Sequence, residues 1–184
     1  MKMEFLEKFK KIEGWWNGKN DKILIRVSLL KDKNFVNLND LWNKENELPD
    51  FEKFVNAQIE NVKKREYLGI SYPVLPHLWG SRGTPMVMSA YLGCKVIFRE
   101  ETVWFEKFIT DWKKVKFEFN PENWWVKASR RLIEKQLEKI NDEFLIWLPD
   151  FGDALTCLSL MRGAENLLID IVEKPKIILE KKNR

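Results

Sequence analysis

Histidine occurs once and cysteine twice in these 184 residues, and that scarcity limits the available chemistry. Zinc is usually held by three or four Cys, His or carboxylate ligands. The soft donors here are His77, Cys94 and Cys157, too dispersed to form a C-x-x-C unit. No metal site is therefore expected within this chain. The same spacing argues against a disulfide framework and for reduced, buried thiols. No serine lies in a G-x-S-x-G elbow, so a hydrolase triad has no anchor. Long apolar runs are missing too: nothing approaches the roughly 18 residues of a membrane span, and the first residues alternate Lys and Glu instead of forming a signal core. The expectation is a cytoplasmic chain with no membrane partner.

Charge of one sign is also in short supply. The net charge of +4 comes from 32 Lys and Arg against 28 Asp and Glu, interspersed along the chain. A small positive surplus sits at Lys174, Lys176, Lys181, Lys182 and Arg184. A solvated end explains it, and no nucleic-acid module accompanies it. What is abundant is aromatic surface: 9 Trp, 12 Phe and 3 Tyr. Large rings fill cores, wall cavities and anchor interfaces. Trp15, Trp16, Trp79, Trp104, Trp124 and Trp125 are candidates to wall a cavity for a flat or apolar ligand, or to serve as core or interface.

Periodicity supplies the outline. Phe5, Leu6, Phe9 and Ile12 mark a first helix that Gly14 is expected to end. A turn at Asn17–Asp21 leads to a strand over Ile23–Leu30. Pro49 opens an amphipathic helix carrying Phe51, Phe54, Val55, Ile59 and Val62, closed by Gly69. Residues 71–93 hold three prolines and three glycines with almost no charge, which suits a packed loop backed by a short helix from Pro85 to Leu92. Short strands are expected at Val96–Phe98 and around Phe117 and Phe119. Asn120-Pro121-Glu122 starts a helix running to Asn141. Phe144–Leu148 is an apolar strand, followed by helical segments broken at Arg162-Gly163 and a last helical piece from Pro175. A helix feeding a buried strand is βαβ grammar, so an α/β class with a mostly parallel sheet is expected.

Two places carry polar groups suited to a ligand. Gly80-Ser81-Arg82-Gly83-Thr84 is an anion-binding candidate in which two glycines let backbone N–H groups converge beside Arg82, Ser81 and Thr84. The alternative is a tight turn with Arg82 paired to a carboxylate. His77 and Trp79 precede this loop. Asp150 and Asp153 flank Gly152 after a strand end, where either could orient a substrate, or Asp153 could cap the next helix. Arg162 could reach a pocket or pair with Glu165 or Asp170. No catalytic residue is assigned.

Four tracts together resemble the uroporphyrinogen decarboxylase superfamily, especially members similar to corrinoid methyltransferases. They are GWWNGKNDKILIRV, LGCKVIFREETVWFEKF, FNPENWW and LPDFGDALTCLSLMRGAENLLIDIVEKP. In the last, Leu158, Met161, Arg162, Gly163 and Glu165, then Leu167, Leu168, Asp170 and Pro175, follow the family form. The resemblance covers nearly the whole chain and about the N-terminal half of a family member. It implies a partial (β/α)8 TIM barrel, N-terminal half only, as one incomplete segment over residues 1–184. Ile23–Val27 would be its first strand and Phe144–Leu148 its second, placing Asp150 and Gly152 at the mouth of the cavity.

The family's arginine-rich stretch has no counterpart around Ser28–Asn34, and its aspartate segment has none near His77–Gly80, so porphyrinogen decarboxylation is not implied. The resemblance instead implies methyl transfer from a corrinoid to a thiol, with zinc and corrinoid bound only in a complete assembly. The partners would be a C-terminal barrel half, or a second copy through self-association, and a corrinoid protein. Two other readings stand beside it: a non-catalytic binding or assembly module, and an inactive remnant of a split gene.

Overall fold

The structure, a computed structural model, describes residues 2–19, 22–41, 49–77, 87–98, 103–141 and 143–182. In chain order these form α1 (Lys2–Trp16), β1 (Arg26–Leu30), a 3₁₀ turn (Leu38–Leu41), α2 (Phe51–Lys63), β2 (Arg65–Gly69), β3 (Val74–Leu75), α3 (Val87–Tyr91), β4 (Val96–Phe98), β5 (Val103–Phe105), α4 (Trp124–Lys139), β6 (Leu145–Ile146), α5 (Ala154–Arg162), α6 (Ala164–Glu173) and α7 (Pro175–Lys182).

Helix dominates, and the strands are paired only in twos. Among the described residues there are three separate two-stranded sheets: β1 with β2, β3 with β6, and β4 with β5. The first and third are antiparallel, and only β3–β6 is parallel. This overturns the barrel. A (β/α)8 barrel closes eight parallel strands into one sheet, whereas the expected first barrel strand pairs antiparallel with a neighbour forty residues on, Val27 opposite Leu68. The expected second, Phe144–Leu148, forms only Leu145–Ile146 and pairs with β3 instead. Among the described residues the sheets neither close nor join, and the resemblance to the barrel superfamily falls with them.

The chain divides into two compact units. The first comprises residues 1–81 and 131–148, the second residues 82–130 and 149–184.

In the first unit, α1 runs through Gly14 and takes in Trp15 and Trp16. A single glycine in a helix interior costs only about 1 kcal/mol relative to alanine, which neighbouring turns can absorb. The Asp50 carboxylate caps α2 by accepting from Lys53 N at 3.1 Å, and the helix buries Phe54, Val55 and Val62. It stops at Lys63, six residues before the glycine that was expected to close it. The Lys64 carbonyl takes the amide of Lys31 at 2.9 Å, and residues 65–69 become β2. Gly69 has φ +63°, and a Cβ there would lie 2.2 Å from the Ile25 carbonyl oxygen. Only glycine fits, and its neighbour Ile70 N donates to that carbonyl at 3.0 Å. Gln58 and Gln136, both buried, donate to the Pro76 carbonyl, and Gln136 Nε2 also donates to Gln58 Oε1 at 2.9 Å.

In the second unit, Cys94, Phe105, Ile109, Trp112, Cys157 and Met161 form the centre of an apolar core. Residues 115–120 form no strand. Asn120 makes a local turn, its Oδ1 accepting from Glu122 N at 2.9 Å. The cap of α4 is instead Asn123, whose Oδ1 accepts from Trp125 N at 2.8 Å while Nδ2 donates to the Ala90 and Tyr91 carbonyls. Gly163 (φ +91°) ends α5 and begins α6.

Candidate functional site

The residues singled out from sequence divide into three groups. Trp79, Ser81, Arg82 and Thr84, with Gly80 and Gly83, lie outside the described residues. His77 is in the first unit and buried. Asp150, Asp153 and Arg162 belong to the second unit.

These last three are each occupied by local structure. Asp150 Oδ1 accepts from Gly152 N at 3.0 Å, and its carbonyl accepts from Val87 N at 2.9 Å. Asp153 caps α5, accepting from Thr156 N at 3.0 Å. Hydrogen bonds from the Thr156 hydroxyl and then its amide hold the Asp153 carboxyl below its ordinary range. Arg162 stands at the other end of that helix, roughly 13 Å away at 1.5 Å rise per residue. Its Nε donates to Asp170 Oδ2 at 2.7 Å, and its Nη1 to the carbonyls of Ile109 and Thr110 at 3.0 and 3.2 Å. Asp170, 2% exposed, also accepts from Trp112 Nε1 at 2.8 Å and pairs with Lys174 at 3.3 Å. These bonds, Arg162 first, pull its carboxyl down to about 2 against the opposing effect of burial. The arrangement is an ion-paired lock between the end of α5 and α6, centred on the buried Asp170 carboxylate.

No group of three or more His, Cys, Asp or Glu among the described residues is placed to hold a metal ion. Cys94 donates its thiol to the Glu106 carbonyl at 3.1 Å and Cys157 to the Phe151 carbonyl at 3.4 Å. Burial raises both thiol pKa values, that of Cys94 to about 11. These are thiols kept protonated, the opposite of what metal ligation needs. With neither a barrel cavity nor a metal cluster, decarboxylase or methyltransferase architecture has no support. The barrel-half and corrinoid partners were implied by that resemblance alone.

A different site is built in the first unit, a cavity of about 620 Å³. One face of α1 supplies Phe5, Phe9 and Ile12 at helical spacing, with Trp15 and Trp16 at its end. The chain entering β1 adds Ile23, Leu24 and Arg26, and the segment leaving β2 adds Ile70 and Tyr72. Val74 and Leu145, from the parallel strand pair, complete the described lining. The rings interlock edge to face: Phe5 on Tyr72 with centroids 5.0 Å apart, and Trp15 on Trp16 at 5.3 Å. Phe9, Trp15, Trp16 and Ile23 all remain substantially exposed. That is the signature of a binding groove more than of a core.

Two cations border this apolar surface, and they differ. Lys8 is largely covered. Its Nζ donates to the Ser71 carbonyl at 2.9 Å, pairs with Glu4 at 2.7 Å, and lies 6.0 Å from the Tyr72 ring centroid. Arg26 sits at the start of β1 opposite Gly69. It forms no ion pair among the described residues, and no Asp or Glu belongs to the described lining.

The tryptophan pair was visible in sequence as a candidate cavity wall. The rest of the lining was not, because it depends on the β1–β2 pairing that sets Arg26 and Ile70 beside α1. No family model, curated protein or solved structure matches the chain. No helix among the described residues is long and apolar enough to cross a membrane.

Proposed function

We propose that the first unit is a binding module for a small, largely apolar molecule held in the aromatic cavity. The observation that carries this reading is the cavity itself: about 620 Å³, within the roughly 300–1,000 Å³ usual for small-molecule sites. Its lining is ring-rich and leaves large apolar side chains open to water. The described lining offers a broad aromatic and aliphatic surface for binding. Because Trp15 and Trp16 line it, occupancy should change tryptophan emission. Titration with anilinonaphthalene sulfonate should give saturable binding at one site, abolished in Phe9→Asp while the far-UV circular dichroism stays native. Phe9 is half exposed, so the substitution tests the groove rather than the fold. Equal probe binding by the variant, or no saturable binding by the parent, would remove the reading.

A second reading, self-association, has its own observation. Helix α6 buries Leu167 and Asp170 but leaves Leu168 66% and Val172 82% exposed, with Ile169 beside them. Residues 168 and 172 lie one turn apart on one face, so an apolar stripe is turned outward. Sedimentation velocity should show concentration-dependent assembly that Leu168→Lys with Val172→Lys removes. A monomer at all concentrations would eliminate it. The buried, unbridged Cys94 and Cys157 support placing either activity in a reducing compartment, the cytoplasm.

A further inference from the structure

The two cations at the cavity are not equivalent, and the difference specifies a ligand. Lys8 has its charge met by Glu4 at 2.7 Å and its donor capacity engaged by the Ser71 carbonyl. Its side chain is only 12% exposed. It behaves as part of the wall. Arg26 has no carboxylate partner among the described residues, and the described lining is free of acidic side chains. A guanidinium is always charged, presents parallel N–H donors, and matches a carboxylate two bonds at a time.

Its base is also fixed. Arg26 is the first residue of β1, in register with Gly69. Gly69 is locked by its positive φ and by the 2.2 Å approach that any Cβ would make to the Ile25 carbonyl. A planar cation on an anchored strand, beside an apolar groove, pairs with one flat anion on an apolar body.

We infer that the occupant of this cavity is an aliphatic or aromatic monocarboxylate, its carboxylate held by Arg26 and its apolar body laid along Phe9, Ile12, Trp15 and Trp16. This rests on the binding reading above and adds the ligand's charge, polar group and direction. One unmatched cation in the described lining selects one negative charge and disfavours a phosphate dianion. Because Arg26 is exposed, the head-group contact is screened by salt, while the contact of the body is not.

The test compares decanoate, decanol, decyl phosphate and decylamine below their micellar concentrations, by calorimetry and tryptophan emission, on the full chain and on Arg26→Gln. Decanoate should bind about tenfold more tightly than decanol. Arg26→Gln should bring decanoate down to the level of decanol and leave decanol unchanged. Shortening decanoate to octanoate should weaken binding by roughly fourfold per methylene removed. Should decanol match decanoate, decyl phosphate exceed it, or Arg26→Gln bind decanoate unchanged, the carboxylate assignment fails while the cavity reading survives. Should none of the four bind the parent chain, the cavity reading fails and the assignment with it.

Discussion

The indole Nε1 of Trp112 donates to Asp170 Oδ2 at 2.8 Å, joining residues 58 positions apart through the same oxygen that receives Arg162 Nε at 2.7 Å. A carboxylate so placed favours its charged form, and its pKa falls from 3.8 to about 2. The sign follows from linkage: a depressed folded-state pKa gives stability that is complete above the unfolded value and lost as pH falls through the folded one. The contribution should therefore be full above about pH 4 and vanish toward pH 2, amounting to about 2 kcal/mol. Asp170→Asn, which leaves the partly buried Arg162 without its counterion, should cost about 3 kcal/mol at neutral pH. It should also flatten this acid limb in urea melts recorded across pH. An unchanged limb would mean that other carboxylates govern acid unfolding.

Two glycines should respond in opposite directions. Gly69→Ala forces a side chain into a left-handed φ and against the Ile25 carbonyl, and should destabilise by at least about 2 kcal/mol. Gly14 lies inside α1 with nothing within 4 Å of an added Cβ. Gly14→Ala should stabilise by about 0.5–1 kcal/mol. Thermal melts of the pair decide it, and shifts in the same direction would contradict the local geometry.

Asn123 ties the start of α4 to the end of α3 through both ends of its amide. Asn123→Ala should cost about 2 kcal/mol by removing a cap and the amide that donates to two carbonyls together. Asn120→Ala, which loses only a surface turn, should cost less than about 1 kcal/mol. Denaturant midpoints that rank the two in reverse would restore Asn120 as the functional cap.

The thiols should be silent. With Cys94 pushed to about 11 by burial and then by Glu106, and Cys157 raised chiefly by burial, neither should react with Ellman's reagent at pH 8 in the folded chain. Both should react at once in guanidinium. Rapid native labelling of either would show that its pocket opens on the laboratory timescale.

How much of this was legible from sequence varied with the range of the interaction. The apolar face of α2 and the break at Gly163 are written within a few neighbouring residues, and pattern reading found them. Strand β2 was missed because Lys63-Lys64-Arg65-Glu66 has the charge pattern of a helix surface. What ends α2 is a bond from Lys31 to the Lys64 carbonyl, made by a residue far upstream. The resemblance to a barrel supplied the wrong partners for the strands at Ile23–Leu30 and Phe144–Leu148, since partner choice leaves no local trace. At the candidate site, the helix cap offered for Asp153 and the pairing with Asp170 offered for Arg162 are roles written in nearby residues, and the Thr156 amide and the Asp170 carboxylate fill them. Lys8 and Arg26 attracted no notice, because no sequence pattern separates a neutralised lysine from an unpaired arginine.

The parallel pairing of Val74 with Leu145 bears on how the chain is made. The first unit needs residues 131–148, so synthesis must pass residue 148 before that unit can close. Meanwhile the intervening stretch emerges without its own later partners, residues 149–184. A contact between such distant positions slows folding and prolongs exposure of sticky surface. Nor does any single cut in the chain release an intact half. During synthesis the described cavity wall stays unfinished until Leu145 reaches its place beside Val74.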